Sequence, residues 1–311
     1  MATIAEIANL VNCGIGADLG TGDKGCQSKL EATTSIWYTQ RGFKFDSTKD
    51  LTTNSDYVKQ LQAEGKLIVL KGVKEFTVNK EEDVTETDPD GTIRVVRKGK
   101  YAFNAMFKKG FNYQSALSSL SSFGVYDTLF VDANGNILAT TSEDKSMKGI
   151  TTGMVEDTGI GFATFTTAMT QGLNFQFLDG SEIETDYFFI SGKELSWKPQ
   201  NIDGVNQVAL EFTAIPADAA TSITVKAKLR QGGSALTGLA FGDFLLTVNG
   251  ATSNPTALTE NPDGTYALTV SALSTNDVLS ISIYDTAENR QAITLDTDLF
   301  KSNTATATVV A

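Results

Sequence analysis

Four carboxylates crowd one short stretch, Asp179, Glu182, Glu184 and Asp186, around Gly180. Two such groups facing a cleft are the apparatus of a glycoside hydrolase. Here they fall in a turn-rich segment, which reads as a solvated acidic loop. A second acidic run, Asp132-Ala133-Asn134-Gly135-Asn136 with Glu143 in the twelfth position, carries calcium-loop ligand types at positions one, three, five and twelve. Position six requires glycine and holds Ile137, so the run is read as the Asn-Gly turn of a β-hairpin. Gly14-Ile15-Gly16-Ala17-Asp18-Leu19 is a partial dinucleotide fingerprint. Leu19 takes the place of its third glycine, and a helix-like segment precedes it where a strand is needed. Gly20-Thr21-Gly22-Asp23-Lys24-Gly25 lacks the Gly-Lys-[Ser/Thr] ending of a phosphate loop.

Histidine is absent from the chain. That excludes Ser-His-Asp and Cys-His hydrolases, His-ligated zinc or haem, and imidazole acid–base chemistry. Cys13 and Cys26 are too few for a four-thiolate zinc site and are expected as free thiols. No residue is therefore assigned a catalytic, cofactor-binding or metal-binding role, no cofactor is expected, and the chain does not read as an enzyme.

The 311 residues are 41% hydrophobic and 20% charged, with a net charge of −12. They suffice for about two domains at ~100–200 residues each. No run approaches the ~18 consecutive apolar residues of a membrane helix, so no membrane association is expected. The negative charge opposes binding to phosphate backbones and anionic lipids. The start, MATIAEIANLVN, has no basic segment followed by an apolar one, and synthesis in a cytoplasm is expected.

The elements that must position these residues are mostly strands. Ile4, Ile7, Leu10 and Val11 form one apolar stripe of a short helix, followed by a glycine-rich arm that brings the segment to about residue 26. Helices are expected over 54–65 and 113–122. Strands are expected over 66–70, 73–78, 92–96, 101–107, 125–131, 137–141, 161–167, 173–178, 184–190 and 205–215, with Pro89-Asp90-Gly91 and Asn134-Gly135 as turns. Trp37, Tyr38, Trp197, Phe175, Phe177, Phe188 and Phe189 read as core or subunit-contact residues. Composition shifts at Ile215-Pro216-Ala217, beyond which there is neither Cys nor Trp. Seven short strands over 222–310, separated by turns, are the pattern of an immunoglobulin-like sandwich without the Cys-Trp-Cys core. The expected organisation is a β-rich sandwich or barrel-like assembly domain with one or two flanking helices over 1–215, then an Ig-like β-sandwich over 216–311.

Residues 123–137 (FGVYDTLFVDANGNI), 193–197 (KELSW) and 204–211 (GVNQVALE) resemble passages of virion structural proteins of tailed bacteriophages. The modular layout of nearly the whole chain resembles a major tail-tube protein with a C-terminal Ig-like domain. The resemblance implies homo-oligomeric rings that stack into a tube, contacts with other virion proteins, and at most passive contact with DNA in the lumen. It also implies Ig-like domains on the outside, within reach of host-surface glycans, and a location in the virion. Residues 1–26 and 79–100 would bridge adjacent rings. A capsid decoration or head-fibre protein is the alternative, and a surface adhesin the second alternative.

Overall fold

The computed structural model describes Thr3, Ile4 and residues 29–311. The glycine-rich arm, both cysteines and all of the expected N-terminal helix except Ile4 lie outside the described residues. The chain divides into two compact units, Met1–Val58 with Lys66–Ile202, and Lys59–Gly65 with Asp203–Ala311.

The first unit carries β1 (Thr33–Gln40), β2 (Leu67–Lys71), β3 (Val73–Lys80), β4 (Val84–Thr87), β5 (Ile93–Arg97), β6 (Tyr101–Phe107), β7 (Ser122–Phe123), β8 (Tyr126–Asp132), β9 (Ile137–Thr141), β10 (Met147–Lys148), β11 (Ile150–Gly161), β12 (Thr170–Phe177) and β13 (Tyr187–Ile190). Helix α1 (Asp56–Ala63) spans the division, while α2 (Phe111–Leu120) and α3 (Ser181–Glu184) lie within this unit. Strands β2, β1, β8, β11, β12, β6 and β3 pair in that order, each antiparallel to the next. β2 and β3 are one bent segment. Gly72 between them takes φ +88°, open to glycine at no steric cost, and donates its amide to the Thr34 carbonyl at 2.9 Å. The ladder thereby closes into a small barrel. At the other corner β11 leaves β8 after Thr151 and continues along β12, with a register shift between Thr152 and Met154.

Period-two alternation turns Phe103, Ala105 and Phe107 of β6 and Leu173, Phe175 and Phe177 of β12 inward. Phe103 stacks on Phe175 at 5.0 Å between ring centroids and lies 4.6 Å from Phe177, 5.4 Å from Phe130 and 5.6 Å from Phe76. This cluster joins four strands from both sides of the barrel. Leu117 and Leu120 of α2 pack into the same core.

The second unit carries β14 (Asn206–Phe212), β15 (Ser222–Leu229), β16 (Phe244–Val248), β17 (Ala251–Thr252), β18 (Ala257–Glu260), β19 (Thr265–Thr269), β20 (Val278–Ile283), β21 (Ile293–Leu295), β22 (Asp298–Ser302) and β23 (Ala305–Thr308). One sheet has the order β18-β19-β15-β14 with β22 and β21 beyond it, and the other has β17-β16-β20-β23. These are the D-E-B-A and C′-C-F-G sheets of an Ig-like sandwich. Val225, Phe244, Leu246, Tyr266, Leu268 and Ile281 fill the core where antibody domains place cystines and tryptophan. The Tyr266 hydroxyl donates to the Leu236 carbonyl at 2.8 Å.

The fold is mostly β, as expected, with differences in detail: β4, β10 and β11 fall where no strand was expected, and the strand expected over 184–190 begins only at Tyr187, after helix α3. Strand β1, buried on both faces, had not been anticipated, although Thr33, Thr34, Ile36, Trp37 and Tyr38 are strand-forming types. Residues 162–167, expected as strand, form a loop because Thr164 closes a turn to the Thr167 carbonyl at 2.9 Å. β14 belongs to the second unit, since it pairs with β15 and β22, so the boundary lies at 202/203 in place of 215/216. Pro216 marks the turn after the A strand, and its carbonyl accepts the Val310 amide at 3.0 Å. The segment 291–295, expected as one of the seven sandwich strands, contributes β21, which pairs with β22 as a hairpin between the F and G strands.

Both tryptophans, Trp37 and Trp197, lie in the first unit, so their fluorescence reads its unfolding alone. Phe175→Ala removes the ring at the centre of the cluster and is expected to cost about 3–5 kcal/mol. Urea denaturation followed by tryptophan emission checks this, and a loss under about 1 kcal/mol would contradict the packing described.

Candidate assembly surface

The chain leaves the barrel at Lys80 and re-enters it at Tyr101. Between them β4 and β5 form a two-stranded ribbon that, among the described residues, pairs with no other strand. Every residue of both strands is exposed. Cross-strand partners share a face, so Thr85 with Val95 and Thr87 with Ile93 make one uncharged face. Glu86 and Arg94 make the other. Ile93 is 67% and Val95 55% exposed. A lone hairpin is marginally stable in water, so this ribbon is an element with an uncovered side. At its tip the Asp90 carboxylate accepts the Thr92 amide at 2.9 Å, and that bond lowers the pKa of Asp90.

The base of the ribbon is tightly built. The Glu81 amide donates to the Lys100 carbonyl at 3.0 Å, and the Gly99 amide donates to Asp83 Oδ1 at 2.8 Å. A Cβ on Gly99 would come within 1.7 Å of the Glu81 carbonyl oxygen, so only glycine fits. Glu184, on α3, receives Lys80 Nζ at 2.7 Å and the Tyr101 hydroxyl at 2.8 Å, with Lys98 Nζ at 3.5 Å. The hydrogen bond from Lys80 and then that from Tyr101 pull the Glu184 carboxyl down to about 2. One carboxylate thus ties together both chain segments that enter the ribbon.

The acidic stretch noted in the sequence does not converge on a cleft. Glu182 accepts Lys148 Nζ at 2.7 Å and the Thr151 hydroxyl at 2.8 Å, Glu184 anchors the ribbon, and Asp179 accepts the Ser181 amide at 2.9 Å. The Asp186 carboxylate accepts the Thr185 hydroxyl at 3.2 Å. Asp132 organises its hairpin turn, with Oδ1 accepting the amides of Asn134 and Asn136 and Oδ2 accepting the Glu31 amide and Asn136 Nδ2. Among the described residues no group of three or more Asp, Glu, His or Cys side chains is arranged to hold a metal. Trp37, Tyr38, Phe175, Phe177, Phe188 and Phe189 are buried, as expected of core residues, and Trp197 donates its indole N–H to the Leu51 carbonyl at 2.6 Å.

A second exposed feature escaped the sequence reading. The loop joining β11 to β12 presents Phe162, 72% exposed, and Phe165, fully exposed, beside threonines that hydrogen-bond one another. Phe111, at the start of α2, is 60% exposed. The available signal was charge: no charged residue occurs between Asp157 and Asp179.

No family model matches the chain. No curated protein matches it. Among solved structures, murine CEACAM1b aligns at 11% identity and a TM-score of 0.22, covering 58% of this chain and 95% of that one. Domains 4 and 5 of the S-layer protein SbsC align at 14% identity and a TM-score of 0.17, covering 77% and 99%. The Bacteroides ovatus glucan-utilisation protein SGBP-B, in complex with a mixed-linkage heptasaccharide, aligns at 11% identity and a TM-score of 0.20, covering 88% and 70%. Similarity at these scores carries no property across to this chain.

The Glu184 carboxyl has a pKa below its ordinary 4.5, so its anchoring contribution is complete above that value and is lost only as pH falls through about 2. Carboxyl NMR should place its midpoint near 2, and Lys80→Ala should move the midpoint upward; an ordinary midpoint in the wild type would show the anchor unformed. Gly99→Ala should speed amide exchange at Glu81 and Gly99 while leaving the tryptophan-monitored unfolding midpoint unchanged.

Proposed function

We propose that the chain is a structural virion subunit that assembles with copies of itself into stacked rings, forming the tail tube of a long-tailed bacteriophage. The observation that carries this reading is the β4–β5 ribbon, an anchored arm whose uncharged face is left in water. Such an arm gains stability when a neighbouring subunit covers it. Composition adds support. The net charge of −12 suits a channel that must pass DNA without holding it. The Ig-like unit would decorate the outside, in reach of host-surface glycans.

Electron microscopy of the concentrated full-length protein tests this. Stacked rings with a central channel are expected. Replacing residues 82–99 by the two-residue turn Asn-Gly should abolish tubes and leave the tryptophan-monitored unfolding of the first unit intact. Tubes from that variant would remove the ribbon from the account. A wild-type protein that stays monomeric and binds only preformed shells would establish a capsid decoration role in its place.

A further inference from the structure

Resting on the reading of the chain as a self-assembling subunit, we propose that the ribbon of one copy docks on the aromatic end of the next copy's barrel. The receiving surface is the β11–β12 loop with Phe162 and Phe165, together with Phe111. Strand register places donor and receiver at opposite ends of the same sheet. Lys80 pairs with Tyr101 at the ribbon end, whereas Phe107 pairs with Gln171 and Gly161 with Thr170 at the loop end. The seven residues of β6 separate them by about 23 Å at ~3.3 Å per residue. Both ends expose apolar groups, Ile93 and Val95 at one and Phe162 and Phe165 at the other.

Charge favours the same pairing. The ribbon tip carries Glu86, Asp88 and Asp90, of which Asp88 is paired with Arg94. The receiving end carries Lys108 and Lys109 immediately before Phe111. A two-fold contact of ribbon with ribbon would cover one apolar feature and leave the other in water. A head-to-tail contact covers both features and opposes unlike charges. Being heterologous, it leaves a free donor on one copy and a free receiver on the other, which is what a repeating stack requires.

Complementation tests the pairing. Phe162→Ser/Phe165→Ser damages the receiver and keeps the ribbon; the variant with residues 82–99 replaced by Asn-Gly damages the ribbon and keeps the receiver. By sedimentation velocity neither should form long assemblies alone. Mixed, they should form a discrete two-layer species that grows no further, since only one junction then has both halves. Separately, Lys108→Glu/Lys109→Glu should raise the critical concentration for assembly at least about tenfold, and adding Glu86→Lys/Asp90→Lys in the same chain should restore it. Wild-type-like assembly by the phenylalanine variant, or absence of both the mixed species and the charge rescue, would overturn this contact while leaving self-assembly standing. Failure of the wild-type chain to assemble at any concentration would overturn both.

Discussion

The phenylalanine cluster at the centre of the first unit is the constraint on which the rest of that unit depends. Phe76, Phe103, Phe130, Phe175 and Phe177 come from four strands and meet in one place. A slip of β6 against β12 by one residue would turn Phe103, Ala105 and Phe107 outward, so the core sets the register. Register in turn decides which end of the barrel releases the ribbon and which releases the aromatic loop. The placement of the exposed features therefore follows from buried packing.

Polar interactions then decide how the ribbon leaves the barrel. Burial contributes little there, since the strands of the ribbon touch water on all sides. Orientation comes from Glu184 with Lys80, Lys98 and Tyr101, and from the close passage of Gly99 over the Glu81 carbonyl. Exposed ion pairs are individually weak, but several sharing one carboxylate and a hydroxyl restrict two chain segments together. The ribbon belongs to the low-stability end of the molecule, where few apolar contacts resist opening. An element of that kind suits a role in contact with another subunit.

The second unit solves its own edge problem differently. β22 pairs parallel to β14 only over Asn206–Val208. Beyond it Asn303 continues the ladder with its side chain, its Oδ1 accepting the Leu210 amide at 2.8 Å and its Nδ2 donating to the Leu210 carbonyl at 3.0 Å. A side-chain amide carries the same donor and acceptor as a peptide group, so one residue stands in for a further strand position. The hairpin inserted between the F and G strands thereby becomes an extension of the A-strand sheet.

Much of this was legible in the sequence. The succession of short strand-forming runs between turns, the alternation in Leu173-Asn174-Phe175-Gln176-Phe177, and the Asn134-Gly135 turn determined the mostly β character, the inward faces and the hairpin, because composition and period-two patterning act locally. The ribbon segment was recognisable as a mixed-charge excursion around Pro89-Asp90-Gly91. The closure of β2 onto β3 through Gly72, the membership of β14 in the second unit and the role of Glu184 were decided by tertiary structure alone. Each depends on a partner far away in the chain, such as Tyr101 and Lys80 for Glu184 or Phe300 for Asn206. Local patterning states which face of a strand is apolar; only long-range pairing states which strand, and which end of it, that face will meet.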